Sequence, residues 1–285
     1  MLVVREVSLR WKSGWSGILL LGAAYGIVEE GLAVTTFFNP TLPQVASGSL
    51  GWYGRAFGVN WVWAAWLTIF HAIVRIAIPI FLIEWHYPAL RGRRLLSDRG
   101  FGVTLALLAA VTIAIDALVA AAVSYRVGLA EYVGALLVIA LLAYAARRGL
   151  GRVWLRLPTG RPLPRWSYAA GGAGFFALSF LVYSGGPVLG GAPAITYLEG
   201  GILLLLALLL VRRTVGAPDA IRAQFAFVAG AVGFFATFAI ILGVSGNPAF
   251  LGMPLVGLGF LAYIVWLARA KGPIRAQTSG PVPVP

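Results

Sequence analysis

The sequence predicts an all-α, polytopic transmembrane helical bundle with eight spanning helices and both termini in the cytoplasm. Three observations carry that expectation. Of the 285 residues, 60% are hydrophobic and 11% charged, and the mean hydropathy is +0.89; a water-soluble domain carries about 25% charged residues. Eight apolar runs are long enough to cross a hydrocarbon core about 30 Å thick, which takes about 20 helical residues. The basic residues gather in every second connection, the bias that orients spans in a bilayer.

The runs fall at roughly 16–38, 61–85, 101–125, 130–146, 167–185, 194–211, 224–244 and 249–268. Helix breakers lie between them: Asn39-Pro40, Gly185-Gly186-Pro187, Pro218 and Asn247-Pro248. The N-terminus carries Arg5, Arg10 and Lys12, and the second-to-third connection Arg91, Arg93, Arg94 and Arg99. The fourth-to-fifth connection adds Arg147, Arg148, Arg152, Arg156, Arg161 and Arg165. Arg212, Arg213 and Arg222 follow the sixth run, and Arg269, Lys271 and Arg275 the eighth. These alternate segments hold nineteen of the 22 basic residues. Only Arg55 and Arg126 fall on the other side, and Arg75 lies inside a run. An odd number of spans would scramble this alternation.

Several classes of function are excluded at once. A net charge of +13 suggests nucleic acid, but the basic residues flank apolar runs and form no continuous basic face, so no nucleic-acid partner is expected. The partner is the lipid bilayer of the cell (plasma) membrane, with anionic headgroups a further partner for the arginine-rich 147–166 stretch. The plainer account of that stretch is topology-setting charge. The absence of cysteine excludes disulfides, thiolate metal sites and thiol catalysis. Without a lysine in any run, a Schiff base is excluded. A lone intramembrane histidine excludes bis-His haem and a three-His zinc site. No cofactor is expected. The sequence does not speak to oligomeric state.

Residues 1–270 are expected to form one transmembrane domain, and 271–285, ending PVPVP, a disordered cytoplasmic tail. An internal duplication is visible in 167–213 and 226–271. GFFA recurs at 174–177 and 233–236, each copy followed by Ser-Gly-x-Pro at 184–187 and 245–248. Parallel hairpin duplication and chance in a Gly/Ala/Phe-rich chain both account for it. The long outer connection, about 39–60, and the start of the second run carry Trp52, Tyr53, Trp61, Trp63 and Trp66. These read as an interfacial aromatic belt, or as part of a short lid.

Chemistry is expected where ionisable groups lie within apolar runs, because each costs a few kcal/mol there and faces the bundle interior with a partner. Those groups are Glu29 and Glu30 in the first run, His71 and Arg75 in the second, Asp116 in the third and Glu199 in the sixth. At about 1.5 Å per residue, Glu29, Glu30, His71 and Asp116 all lie about 12–15 Å from the outer end of their runs. They are expected to meet there. His71 and Arg75 are i and i+4 and share a face. Gly22 and Gly26 lead to Glu30 at four-residue spacing, which lets another helix approach closely. Pro79 cannot donate to the carbonyl of Arg75, so the helix is expected to kink beside the cluster. His86 and Glu84 are expected to pair at the cytoplasmic boundary.

The segments GIVEEGLAVTTFFNP (26–40) and YGRAFGVNWVWAAWLTIFHA (53–72) resemble an uncharacterised group of prokaryotic multi-span membrane proteins, over roughly the first hundred residues. The chain is also similar, more weakly, to the CAAX-protease/bacteriocin-processing superfamily of intramembrane glutamic proteases. That family activates water with a Glu-Glu pair and histidines on separate helices, roles the resemblance would give to Glu29-Glu30 and His71. The family's arginine would fall near Val34, its phenylalanine at Leu67, and its second histidine has no counterpart within a run.

Three functions stay open. In a transporter-like reading, Glu29, Glu30, His71, Arg75, Asp116 and Glu199 bind or translocate a proton, cation or small solute. In a hydrolase reading, Glu29, Glu30 and His71 are catalytic. In a helper or assembly subunit, the charges only set helix pairing. A metal on Glu29 or Glu30, His71 and Asp116 is allowed by ligand type.

Overall fold

The structure is a computed structural model and describes residues 1–42, 50–123, 125–150, 163–215 and 219–270. The expected tail at 271–285, Pro218 and the middle of the arginine-rich stretch lie outside the described residues. Nine helices follow one another among the described residues. They are α1 (Leu2–Arg10), α2 (Gly14–Ala33), α3 (Trp61–His86), α4 (Asp98–Ala122), α5 (Leu129–Arg147), α6 (Arg165–Val188), α7 (Pro193–Val215), α8 (Ala220–Gly243) and α9 (Met253–Ala270). Eight of them, α2 to α9, are long and apolar enough to cross a membrane. The only strands described are a two-residue antiparallel pair, β1 (Arg55–Ala56) and β2 (Val59–Asn60), ahead of α3.

The first span ends earlier than the apolar run suggests. Hydropathy carries it to about residue 38, but Thr35 takes a left-handed backbone (φ 62°), which a β-branched residue adopts only under constraint, and the helix stops at Ala33. Thr36, Phe37, Phe38 and Asn39 continue as buried, non-helical chain. The carbonyls of the two phenylalanines are satisfied from outside the segment, as backbone out of contact with water requires. The Asn60 N–H donates to Phe37 at 2.8 Å, and the Tyr125 hydroxyl to Phe38 at 2.9 Å.

The described chain divides into two compact units. The first combines Met1–Pro162 with Ala177–Ala220. Its core is built on α2 and α3: Val4, Ile18, Leu21, Ile76, Ile80 and Ala146 form one cluster, and Ile27, Phe37, Phe38, Ala64 and Ala135 another. The helix α1 was not expected from the sequence. It turns back on α2 through Lys12 (φ 52°) and buries Val4 in the first cluster.

Its polar residues then need partners away from water, and they find them in the 84–98 segment. Arg5, 4% exposed, donates from Nε to Glu84 at 3.0 Å, and its other nitrogens donate to the carbonyls of Leu90 and Arg93. Glu6, fully buried, accepts the Leu95 N–H at 2.7 Å. Arg10 pairs with Asp98. Arg5 and Arg10 therefore share one end of the bundle with Arg91, Arg93, Arg94 and Arg99, as their common charge sign predicts. Glu84 is bound to Arg5, and the ring of His86 packs on Tyr87 at 4.3 Å.

The 39–60 connection and the start of α3 split their aromatic residues. Trp52, Phe57 and Trp61 are exposed, as a belt requires. Tyr53 and Trp66 turn inward: the Tyr53 hydroxyl meets Thr196 at 2.7 Å, and Trp66 stacks on Tyr183 with ring centroids 5.2 Å apart.

The second unit combines Leu163–Phe176 with Ile221–Pro285. In it the start of α6 packs closely on α8, brought together by glycines. A Cβ at Gly172 would fall 2.0 Å from the Phe227 carbonyl oxygen, and one at Gly230 1.9 Å from that of Ala169. Further along, Phe176 meets Phe235, centroids 4.9 Å apart. These two phenylalanines hold the same place in the two GFFA copies.

Two substitutions test this packing in purified protein by thermal unfolding. Arg5→Ala leaves Glu84 without its cation and the carbonyls of Leu90 and Arg93 without their donor, and is expected to cost about 3–5 kcal/mol. Gly230→Leu drives a side chain into the Ala169 carbonyl and is expected to cost about 1–3 kcal/mol. An unchanged midpoint in either variant contradicts the corresponding contact.

Candidate functional site

Two spans lose regular α-helical winding at one place. In α2, Val28–Ala33 widens to a π-helical turn, with the Val34 N–H donating to the Glu29 carbonyl at 2.8 Å. In α3, His71–Ala77 does the same, the Ile78 N–H reaching Ile73. Pro79 lies just beyond, where an α-helix would need its missing N–H to serve Arg75. The expected disturbance is therefore a wide turn. Such turns are rare and recur at functional sites because they re-aim side chains that α-winding would point elsewhere.

The close approach of the two helices comes from Gly22 and Gly26. A Cβ at Gly22 would sit 2.9 Å from the Cα of Ala72, and one at Gly26 2.9 Å from the Cβ of His71. Only a residue without a side chain lets α3 come this near, and the carboxylates one turn on then reach the imidazole.

The resulting geometry is a histidine held between two glutamates. His71, 1% exposed, places Nε2 3.0 Å from Glu30 Oε1 and Nδ1 3.1 Å from Glu29 Oε2. The Glu30 contact is a hydrogen bond. The Glu29 contact is off the line a hydrogen bond requires, so Nδ1 and Glu29 Oε2, both sealed from solvent, have no hydrogen-bond partner among the described residues. Glu30 Oε2 accepts from the Thr36 hydroxyl at 2.5 Å. The Tyr25 hydroxyl interacts with Glu29 one turn along the same helix, and its ring lies 6.3 Å from that of His71. Arg75 Nη2 lies 3.8 Å from Glu29 Oε1, too far for a hydrogen bond.

Of the groups expected to meet, Glu29, Glu30 and His71 do so, with Arg75 beside them. Asp116 is engaged elsewhere, accepting from the Tyr132 hydroxyl at 2.7 Å, while Thr112 donates to the Leu108 carbonyl. Glu199 is exposed on α7. Thr36 and Tyr25 were not singled out from the sequence. Tyr25 carried a readable signal, the i, i+4 spacing to Glu29. Thr36 carried none, because its reach to Glu30 depends on the chain leaving the helix at Thr35.

One donor atom each from Glu29, Glu30 and His71 lies within 4.8 Å of the others, and two carboxylate oxygens with one imidazole nitrogen suit a borderline divalent ion. Without an ion, the same set is a short chain of proton-exchanging groups: carboxylate, imidazole, carboxylate.

Eight helices long and apolar enough to cross a membrane define a polytopic α-helical membrane protein. Comparison with protein families, curated proteins and solved structures finds no match to this chain.

The arrangement makes the glycine contact decisive. Gly26→Val is expected to push α3 outward and break both carboxylate contacts of His71. A structure of the variant, or crosslinking between α2 and α3, reads the separation; an unmoved α3 contradicts the role given to Gly26.

Proposed function

We propose that the protein binds protons within the membrane at Glu29, His71 and Glu30 and passes them across, coupled to movement of a small solute. The observation that carries this reading is the buried imidazole with a carboxylate at each ring nitrogen. An imidazole is the one side chain that accepts a proton at one atom and releases another from a second atom near neutral pH. A proton delivered to Glu29 passes to Nδ1 when the carboxylate swings into line. The proton on Nε2 then moves to Glu30, and ring reorientation resets the pair. Thr36 holds Glu30 in the receiving position. Both glutamates keep partial exposure, so protons can enter and leave.

In this reading the protein is a multi-pass component of the plasma membrane. Its arginine-rich connections and both termini face the cytoplasm, where anionic headgroups meet the arginines.

The same partial exposure favours a second reading, in which Glu29 or Glu30 activates water and His71 assists hydrolysis of a lipid or peptide bond. The two differ in what is lost on substitution. In proteoliposomes carrying a pH-sensitive dye, Glu29→Gln, Glu30→Gln and His71→Gln are each expected to lower proton flux by about 100-fold or more, with size-exclusion profiles like the parent's. Parental flux in a folded variant overturns the relay, and loss of cleavage without loss of flux transfers the site to the hydrolase.

A further inference from the structure

Arg75 is the one charged group of the cluster that the relay does not use. It lies 14 residues from Trp61 and 11 from His86 along α3, so the nearer end is about 16 Å away. That exceeds the reach of an arginine side chain, so neither end of α3 lies within its range. A guanidinium stays charged at any physiological pH and presents five donors. Within a span it needs an anion or water. Yet its side chain is 58% exposed, it makes no hydrogen bond among the described residues, and its carboxylate neighbour, Glu29, stands 3.8 Å off. It shares a helix face with His71, which is buried against α2. The free donors therefore open beside the cluster.

We propose that Arg75 binds an oxyanion: its guanidinium takes the carboxylate or phosphate group of a solute at the edge of the Glu29–His71–Glu30 cluster. Together with the relay reading, on which this clause alone rests, the transported solute is then an anion accompanied by protons. A planar fork of donors grips two oxygens of such a group at once, which an ammonium does not. Glu29 competes with the incoming anion for Arg75, so the cation is held near the relay until a solute arrives.

The test is thermal unfolding of the full chain in detergent micelles at fixed pH. Sodium acetate and inorganic phosphate are the soluble probes, with sodium chloride as the ionic-strength control. Mixed micelles of phosphatidylglycerol and of phosphatidylcholine form the lipid arm. The expected result is a rise in Tm with acetate or phosphate beyond that with chloride. Arg75→Gln abolishes it, Arg75→Lys weakens the apparent affinity by about tenfold or more, and Glu29→Gln tightens it by removing the competitor. Should Arg75→Gln fail to fold, the opposite shifts of Arg75→Lys and Glu29→Gln decide the matter. No response beyond chloride, or an equal response in Arg75→Gln, overturns the proposal. A response to phosphatidylglycerol alone, lost in Arg75→Gln, keeps the oxyanion site but overturns the solute in favour of a lipid headgroup. Binding is read here without a proton gradient, so failure leaves the relay standing, and failure of the relay leaves the binding result intact.

Discussion

Charged and ionisable side chains in an apolar medium must satisfy one another, and that constraint organises the middle of this protein. Glu29, Glu30, His71 and Arg75 sum to near neutrality if the imidazole carries a proton, and all lie within apolar helices. They meet only because α2 presents Gly22 and Gly26 to α3 and lets the two backbones touch. The π-turns then rotate the acids and the imidazole onto one another. Packing, helix geometry and electrostatics here are one interaction seen at three levels.

The same constraint acts at the end of the bundle where α1 meets the 84–98 segment, with a different outcome. Arg5, Glu6, Glu84, Arg10 and Asp98 form a network in which the buried groups find partners in side chains or backbone. That network fastens α1 to the 84–98 segment. Both places keep buried polar atoms without a hydrogen bond, Glu6 Oε2 and Arg10 Nε in the network and His71 Nδ1 and Glu29 Oε2 in the middle cluster, but only the middle cluster leaves a guanidinium, that of Arg75, half open. Incompletely satisfied polar groups at membrane depth are costly to keep.

Much of this was legible in the sequence, and the reasons are physical. The spans follow from uninterrupted apolar length. The shared end of Arg5, Arg10 and Arg91–Arg99 follows from charge alternation. The i, i+4 relation of His71 and Arg75 and the Gly22/Gly26 approach follow from helix periodicity. Depth counted along the chain was less reliable. It gave Glu30 about the right level, but through a helix drawn to residue 38 when α2 stops at Ala33. Depth also grouped Asp116 with the cluster, whereas direction about the helix axis decides contact, and Asp116 turns to Tyr132. The part of Thr36 was hidden because it arises from a left-handed residue at Thr35, a conformation no propensity predicts for threonine. The helix α1 was hidden because nine residues with two arginines and a glutamate read as a charged flank.

The chain has two histidines, so a His86→Gln background leaves His71 as the sole imidazole signal. Nitrogen-15 solid-state NMR of that protein in lipid tests the central geometry most directly. The account predicts that Glu30→Gln moves chiefly the Nε2 resonance and Glu29→Gln chiefly the Nδ1 resonance. Ring nitrogens indifferent to both substitutions would contradict it.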